Sequence, residues 1–355
     1  MRELLTQKAN TDRCPGIQDG HALLDLSRGW LKHGNPVVAL ELLKTAISSR
    51  EADGDRDLRA KVLKETGRAY MMQSDWTQAE SFYLEAQRLF TDEKNFRGAA
   101  ECARNRANMH FQQGNYQVSE QLCEQAIEWA SEINDYALRA TISNTLGAIK
   151  SATGDLRESI SIFRLCLADF ESSGNVVRRG YVLLNIGLTQ TELGEHVEAL
   201  SSLNEALAIA FSEKDTHLVE ICYQNISKCY LAQNEITLAR SVVDTARRIL
   251  PGLNSKALAA ELDLIDGRIL RLMSDFNGAA DVLERTLHTA VENNLTALEA
   301  DTLREQAELE KARGNFDPAA AKWKAAAAQY KRIGMDKGYK DAIQALKNLA
   351  RTPHA

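Results

Sequence analysis

The chain has 355 residues, of which 44% are hydrophobic and 26% charged, and its net charge is −6. This balance is typical of an ordinary soluble protein, and five prolines are too few for a disordered or linker-rich chain. The acidic charge argues against a duplex nucleic-acid partner, and no apolar run approaches the roughly 18 residues of a membrane span. The polar N-terminus lacks the apolar stretch of a signal peptide, so we expect a cytoplasmic protein.

The first element is an N-terminal leader over residues 1–19, in which Cys14-Pro15-Gly16 forms a break. The chain has six cysteines, and their spacing matches neither a zinc site nor a disulfide framework. Five of them fall in amphipathic stretches, where a free cysteine behaves as a small buried hydrophobe. These five are Cys102, Cys123, Cys166, Cys222 and Cys229.

After the leader, residues 20–334 repeat every 40 residues in eight copies without an insertion. One column of the repeat holds small residues: Ser27, Gly67, Ala107, Gly147, Gly187, Ser227, Gly267 and Ala307. A second holds residues suited to turns: Gly34, Ser74, Gly114, Gly154, Gly194, Asn234, Ser274 and Gly314. A third holds Ala or Ser: Ala39, Ala79, Ser119, Ser159, Ala199, Ala239, Ala279 and Ala319. A fixed period of this length indicates a repeat array.

Each copy is predicted to be a helix, a tight turn and an antiparallel helix. In the fifth copy, an apolar stripe of helical period precedes Gly194 and a second stripe follows it. A further column holds residues that favour the N-cap of a first helix: Asp55, Asn95, Asp135, Asn175 and Asp215. The small residues let two helix backbones approach closely, which offsets their low helix propensity.

The last element, over residues 335–355, is predicted to be a capping helix and tail. The stretch from Lys337 to Ala350 is amphipathic and no partner helix follows it. A terminal repeat needs such a cap because its apolar face has no next neighbour.

These columns resemble the tetratricopeptide repeat family, which places a small residue at position 8, a turn residue at 15, Ala at 20 and a small residue at 27. With Gly187 counted as position 8, position 27 reads Ala46, Ala86, Ala126, Cys166, Ala206, Ala246, Thr286 and Ala326. Aromatic residues stand at position 17 in four copies, and Pro251 occupies the helix-ending position 32. The 40-residue unit is most similar to the long-helix branch typified by Pins/LGN and kinesin light chains.

The resemblance implies an all-α fold, a right-handed α-solenoid superhelix of about eight helix-turn-helix repeats with a C-terminal capping helix. Arg106 and Asp266 depart from the pattern, because position 7 is usually apolar. We therefore expect those two copies to be locally polar.

No motif for catalysis, phosphate binding or metal binding is present, since strands and their Gly-rich loops are missing from the pattern. The seven histidines are scattered over different repeats, and His110 at position 11 is interpreted as a core histidine. Asp263 and Asp266 lie three residues apart, but such a pair is more often part of a solvated face. We expect no enzyme activity, no cofactor and no metal.

The resemblance further implies that positions 2, 5, 6, 9 and 12 of the first helices line a concave groove. Position 6 presents Asn105, Thr145, Asn185 and Asn225, and an Asn amide can both donate to and accept from a peptide backbone. The other candidate groove residues are Arg28, Lys61, Lys64, Arg68, Arg104, Asn108, Asn144, Gln224, Lys228 and Arg268. Because arginine binds carboxylates in bidentate fashion, the predicted ligand is an extended, acidic segment of a protein or peptide.

Three functions remain open at this stage. The first is a non-enzymatic scaffold or adaptor for protein–protein interaction, without nucleic-acid or membrane partners and with a monomer favoured. The second is a regulatory sensor that binds a small peptide and controls a separate effector protein. The third is a structural subunit of a stable complex. A carboxylate clamp for a C-terminal tail is excluded, because the positions that follow Arg104 and Asn108 are Thr145, Tyr181 and Asn185.

Overall fold

The computed structural model describes residues 19–249 and 256–351, and within these ranges the chain forms helices joined by short turns and contains no β-strand. The all-α prediction is confirmed. The leader up to residue 18, with Cys14, lies outside the described residues, as do Pro251 and the tail from residue 352.

The helices of the described ranges follow one another in hairpins. Their bounds are α1 Gly20–Lys32, α2 Pro36–Ile47, α3 Arg50–Gly54, α4 Arg56–Met72, α5 Trp76–Asp92, α6 Phe96–Gln112, α7 Tyr116–Glu132, α8 Tyr136–Thr153, α9 Leu156–Ser172, α10 Val176–Leu193, α11 His196–Ser212, α12 Thr216–Ala232, α13 Ile236–Ile249, α14 Lys256–Leu272, α15 Phe276–Glu292, α16 Thr296–Ala312, α17 Phe316–Arg332 and α18 Asp336–Arg351.

The described residues form two compact units. Unit 1 contains residues 19–111 and 116–145, and unit 2 contains residues 112–115, 146–249 and 256–351. Within each unit a first helix packs against the second helix of its own hairpin, as α4 does against α5 in unit 1 and α10 against α11 in unit 2. Each unit is thus an α-solenoid of helix-turn-helix repeats.

The small-residue column sits where the two helices of a hairpin touch. A Cβ added to Gly147 would lie 2.5 Å from Cε1 of Phe163, and one added to Gly187 would lie 2.6 Å from Cγ of Leu203. The column of Ala and Ser at position 20 is fully buried at the same contact, including Ala199. Small side chains in the first helix therefore make room for a large one in the second.

The turn column adopts the left-handed conformation that the hairpin turn requires, with positive φ at all eight members. Their φ angles are 73° at Gly34, 60° at Ser74, 76° at Gly114, 95° at Gly154, 79° at Gly194, 62° at Asn234, 65° at Ser274 and 82° at Gly314. A second left-handed column, which the sequence analysis did not identify, connects successive hairpins at Lys94, Asn134, Gly174, Lys214, Asn294 and Gly334. Lysine rarely adopts this conformation, so Lys94 and Lys214 did not indicate left-handed turns in the sequence.

The N-cap column is confirmed at all five of its members. In each, the side-chain oxygen accepts a hydrogen bond from the backbone N–H three residues later, for example Asp55 from Leu58 at 3.0 Å and Asp215 from Leu218 at 3.0 Å. The same bond is made by Asn95, Asp135 and Asn175. These bonds satisfy backbone donors that the helix leaves unpaired and fix where each first helix begins.

The first hairpin departs from the regular pattern, because α2 ends at Ile47 and the short helix α3 is inserted before α4. The hydroxyl of Ser48 donates to the Lys44 carbonyl, while the Ser49 hydroxyl accepts from the Ala52 N–H at 3.2 Å. Serine hydroxyls compete in this way with the regular backbone ladder. Both serines thus bond backbone groups at the point where the helix is interrupted.

In unit 2 the first helices α10, α12, α14 and α16 contact one another in sequence, and each second helix also packs on the next first helix. The final helix, α18, packs Ala342 and Leu349 against a cluster that contains Trp323 and Tyr330. It covers the apolar side of the last hairpin, as predicted for a capping helix. The surface of the first helices that points away from their own second helices is called here the first-helix face.

Candidate functional site

In unit 1 the cations of the first-helix face are held in ion pairs with carboxylates of the same chain. Arg28 Nε lies 3.2 Å from Glu65 Oε1, and Arg68 Nη1 lies 3.5 Å from Glu65 Oε2. Lys64 pairs with Glu101 of the next first helix. Lys61 Nζ lies 2.5 Å from Asp57 Oδ2. Much of the positive charge predicted there is therefore balanced within the protein.

The amide-rich part of the unit 1 face remains partly open to solvent. Asn105 accepts a hydrogen bond from Arg104 Nη2 at 3.1 Å, which orients its side chain. Asn108 and Asn144 are half-buried on neighbouring first helices. Thr145, in the same column as Asn105, donates to the Thr141 carbonyl at 3.5 Å.

In unit 2 two of the predicted amides are buried. Gln224 is 1% exposed and donates to the Leu258 carbonyl at 3.4 Å, so it joins α12 to α14. Asn225 is 5% exposed and donates to the Ile221 carbonyl at 2.8 Å on its own helix. Asn185 on α10 is half-buried. Among these three amides, Asn185 is the one that keeps a substantial exposed fraction.

Lys228 on α12 and Arg268 on α14 are exposed on the unit 2 face, and neither forms an ion pair or hydrogen bond with another described residue. Burial by the surrounding helices nevertheless lowers the pKa of Lys228, with Arg304 and Arg268 acting in the same direction and Glu261 and Asp301 opposing them. The groups that act on Lys228 lie on α14 and α16, so charged side chains of three successive first helices are near one another here. Unit 2 therefore has two exposed cations without an ion pair on its first-helix face.

A carboxylate of unusual character lies on the same helix as Lys228. Glu220 is 4% exposed, and burial together with the charge of Glu261 raises its pKa to about 7. The sequence analysis did not single it out, because a glutamate in a charged repeat carries no sign of its burial. Glu220 occupies position 1 of its repeat. The same position holds small, buried residues in other repeats, which could have indicated that Glu220 is buried: Gly180, Ala260 and Ala300.

The two polar exceptions at position 7 form ion pairs, as their locally polar character predicted. Arg106 donates through Nη2 to Glu80 Oε1 at 2.7 Å, and Asp266 accepts from Arg240 Nη1 at 2.6 Å. His110 is mostly buried, with Nε2 3.8 Å from Glu80 Oε2, in agreement with its interpretation as a core residue.

The described residues offer little for catalysis or metal binding. The five cysteines of the described ranges are buried and free. Burial raises the pKa of the Cys102, Cys123, Cys166 and Cys222 thiols to about 12, far from that of a reactive thiolate. Within the described ranges, no group of three or more His, Cys, Asp or Glu residues is placed to hold a metal ion. None of the helices there has the length and apolar character that a bilayer crossing demands.

The tetratricopeptide repeat family model matches residues 99–172. No curated protein sequence matches the chain. Three similar solved structures have the same fold at low identity. Aspartyl phosphate phosphatase F from Bacillus subtilis is 14% identical over 95% of this chain and 88% of its own, with a TM-score of 0.66.

The second is a Rap protein complexed with Competence and Sporulation Factor, which is 15% identical over 94% of this chain and 98% of its own, with a TM-score of 0.59. The third, the Rap conjugation gene regulator of plasmid pLS20 in complex with the Phr* peptide, is 14% identical over 89% of this chain and 96% of its own, with a TM-score of 0.61. At these identities the likeness concerns the fold.

Proposed function

We propose that this tetratricopeptide repeat chain is a non-enzymatic, cytoplasmic adaptor that binds an extended, acidic segment of a protein or peptide on its first-helix face. The observation that carries the proposal is the pair of exposed cations Lys228 and Arg268 on adjacent first helices, neither of which forms an ion pair with another described residue. Such cations attract a ligand of complementary, negative charge. Five buried free cysteines support the reducing environment of the cytoplasm.

The half-buried amides would bind the backbone of the segment. Asn185 serves this role in unit 2, and Asn105, Asn108 and Asn144 serve it in unit 1. An amide offers both donors and an acceptor, so it recognises a peptide group without reading the side chain. Gln224 and Asn225 are expected to contribute by holding α12 in place, since their amides are buried.

The acidic character of the segment is supported by the unpaired cations Lys228 and Arg268. The paired cations Arg28, Lys64 and Arg68 are expected to contribute less, because a ligand carboxylate would have to displace Glu65 or Glu101. Removing an ion from its existing partner consumes much of the energy that the new contact releases.

A second candidate, a sensor that binds a short peptide and acts on a separate effector, is favoured by the fold it shares with the pLS20 Rap regulator bound to the Phr* peptide. Both candidates need a peptide ligand, and solution X-ray scattering separates them. A sensor changes its radius of gyration when the peptide binds, whereas a passive adaptor keeps it.

The test is selection of linear peptides from a displayed random library on the purified full-length protein, followed by calorimetry. The variant Leu188→Glu places a negative charge on the first-helix face of α10, at a position whose side chain is 37% exposed. We expect it to weaken an acidic selected peptide about tenfold through like-charge repulsion.

The matched control is Val197→Glu, which adds the same charge to the second helix α11, where Val197 is 78% exposed. It is expected to leave the affinity within about twofold. Equal losses in both variants, or a library that yields no binding peptide, would contradict the proposal.

A further inference from the structure

Four cations occupy position 9 of different repeats, but the two units treat them differently. In unit 1, Arg28 and Arg68 both pair with Glu65, at 3.2 and 3.5 Å, and Arg28 also pairs with Asp25 at 3.2 Å, so two carboxylates balance the two cations. In unit 2, Lys228 and Arg268 have no carboxylate or hydrogen-bond partner among the described residues. The same register therefore holds neutralised charges in one unit and uncompensated charges in the other.

Arg68 meets Glu65 three residues earlier on its own helix, where Lys228 has Asn225 and Arg268 has Ile265. The other cause lies 37 residues further along the chain, in the next first helix. Arg28 meets Glu65 at this offset. The same offset from Lys228 reaches Ile265, which carries no charge. From Arg268 it reaches Glu305, but Glu305 Oε1 already accepts from Arg271 Nε at 2.6 Å, and Glu305 is 5% exposed.

A third cation, Arg304 on α16, also acts on Lys228, but it is paired with a carboxylate. Of the two carboxylates that act on Lys228, Asp301 is already engaged, because it accepts from the Tyr330 hydroxyl at 2.6 Å and lies 3.5 Å from Arg304 Nη2. Asp301 and Arg304 therefore balance each other, and Glu261 is the remaining carboxylate that acts on Lys228. The two cations Lys228 and Arg268, which lack an ion pair, thus outnumber it.

We propose that Lys228 and Arg268 form a binding site for a carboxylate group of the peptide ligand on the first-helix face of unit 2. This assignment rests on the proposed function, and it names the residues that would bind the acidic group of the ligand. Packed helices lie about 8–10 Å apart, so long side chains at the same level of adjacent helices can converge on one group. The ammonium supplies a point charge and the guanidinium a forked pair of donors, which together suit a carboxylate.

The carboxylate can come from an Asp or Glu side chain or from a free C-terminus, and two synthetic probes separate these sources. One is an acetylated glycine pentapeptide with a central Asp and a C-terminal amide. The other is an acetylated pentaglycine with a free C-terminus. Each is titrated into the full-length protein while the side-chain nitrogen NMR signals of Lys228 and Arg268 are followed at constant ionic strength.

We expect saturable shifts of both signals with at least one probe, and none with the acetylated, amidated pentaglycine. A response to the Asp probe alone identifies a side-chain carboxylate, and a response to the free C-terminus alone identifies a terminal one. The double variant Lys228→Met and Arg268→Met should weaken the responding probe by about tenfold or more, because both charge-assisted contacts are lost. The matched control Arg285→Met removes an exposed cation from the second helix α15 and should stay within about twofold.

Two outcomes would overturn the assignment: no saturable shift with either probe, or equal probe affinity in the wild type and the double variant. The wild-type titration decides the matter even if the double variant does not fold. Saturable binding of a probe combined with a library that yields no peptide would uphold the carboxylate site and refute the proposed peptide-binding function. Selected peptides that bind without shifting these two signals would uphold the function and refute the site.

Discussion

At the scale of single residues, the helices of a hairpin pack because a small residue in the first helix faces a large residue in the second. Gly147 faces the ring of Phe163 and Gly187 faces the branched end of Leu203, so the absence of a Cβ in one helix is matched by bulk in the other. Glycine lowers helix propensity by up to about 1 kcal/mol. Burial of a Phe or Leu side chain contributes roughly 1.5–3 kcal/mol, which more than offsets that cost.

Gly147→Ala should lower stability by about 1–3 kcal/mol, because the new Cβ would lie 2.5 Å from the Phe163 ring. Gly29→Ala is the matched control, since a Cβ there meets no atom within 4 Å. That substitution should raise stability by up to about 1 kcal/mol through helix propensity. Thermal unfolding followed by circular dichroism measures both, and a stabilised Gly147→Ala protein would contradict this account of the column.

At the scale of helices, charge pairs join the second helix of one hairpin to the first helix of the next. Glu80 and Arg106 are 26 residues apart, and so are Arg240 and Asp266, with the charges exchanged between the two columns. Asp266 is 2% exposed and contacts Arg240 at 2.6 Å and Arg247 at 2.8 Å. A buried carboxylate with two guanidinium partners is stable in the interior, and it replaces the usual apolar residue.

Asp266→Ala should destabilise the protein by about 1–3 kcal/mol, because Arg240 and Arg247 lose their common partner and a buried contact is removed. Asp244→Ala is the comparison, since Asp244 is 51% exposed and pairs with the same Arg240 on the helix surface. Its effect should be under about 0.5 kcal/mol. Urea unfolding of the two variants side by side gives the answer, and equal effects would show that burial of the pair is unimportant.

At the scale of the whole molecule, each unit is a stack in which stability comes from neighbours. In such a stack the last repeat is the weakest, unless an additional element covers its apolar side. In unit 2 helix α18 provides that cover, with Ala342 fully buried and Leu349 6% exposed against the cluster around Trp323.

Ala342→Asp should detach α18, because an unpaired carboxylate at a fully buried position costs several kcal/mol. Amide hydrogen exchange should then show lost protection in α17 and α18, with protection kept in α10 and α11. The exposed position Lys347 provides the control, and Lys347→Asp should leave the exchange pattern unchanged. Protection lost equally along all of unit 2 would mean that the stack unfolds as one cooperative body.

The pairing of charges could have been predicted in part from the sequence. An offset of 37 residues joins Arg28 to Glu65 and Lys64 to Glu101, so a search at that spacing would have found both pairs. It would not have found that Arg271 takes Glu305, which lies at the same offset from Arg268. The spacing alone does not show whether Arg268 or Arg271 pairs with Glu305, because the positions of the side chains in the packed helices decide it.

By itself, the sequence determined the helices, the hairpin turns and the N-caps, because a small residue, a left-handed turn and a cap each act within a few residues of their own position. The left-handed turn at Gly194 and the N-cap at Asp215 form within their own hairpins and do not depend on where the neighbouring repeat lies. Only the tertiary structure decided which polar side chains remain open to a ligand: Arg68 is neutralised while Lys228 is not, and Asn225 is buried while Asn185 is partly exposed. The physical reason is that charge compensation and burial depend on groups supplied by the adjacent repeat, and the column that a residue occupies does not fix what that repeat supplies.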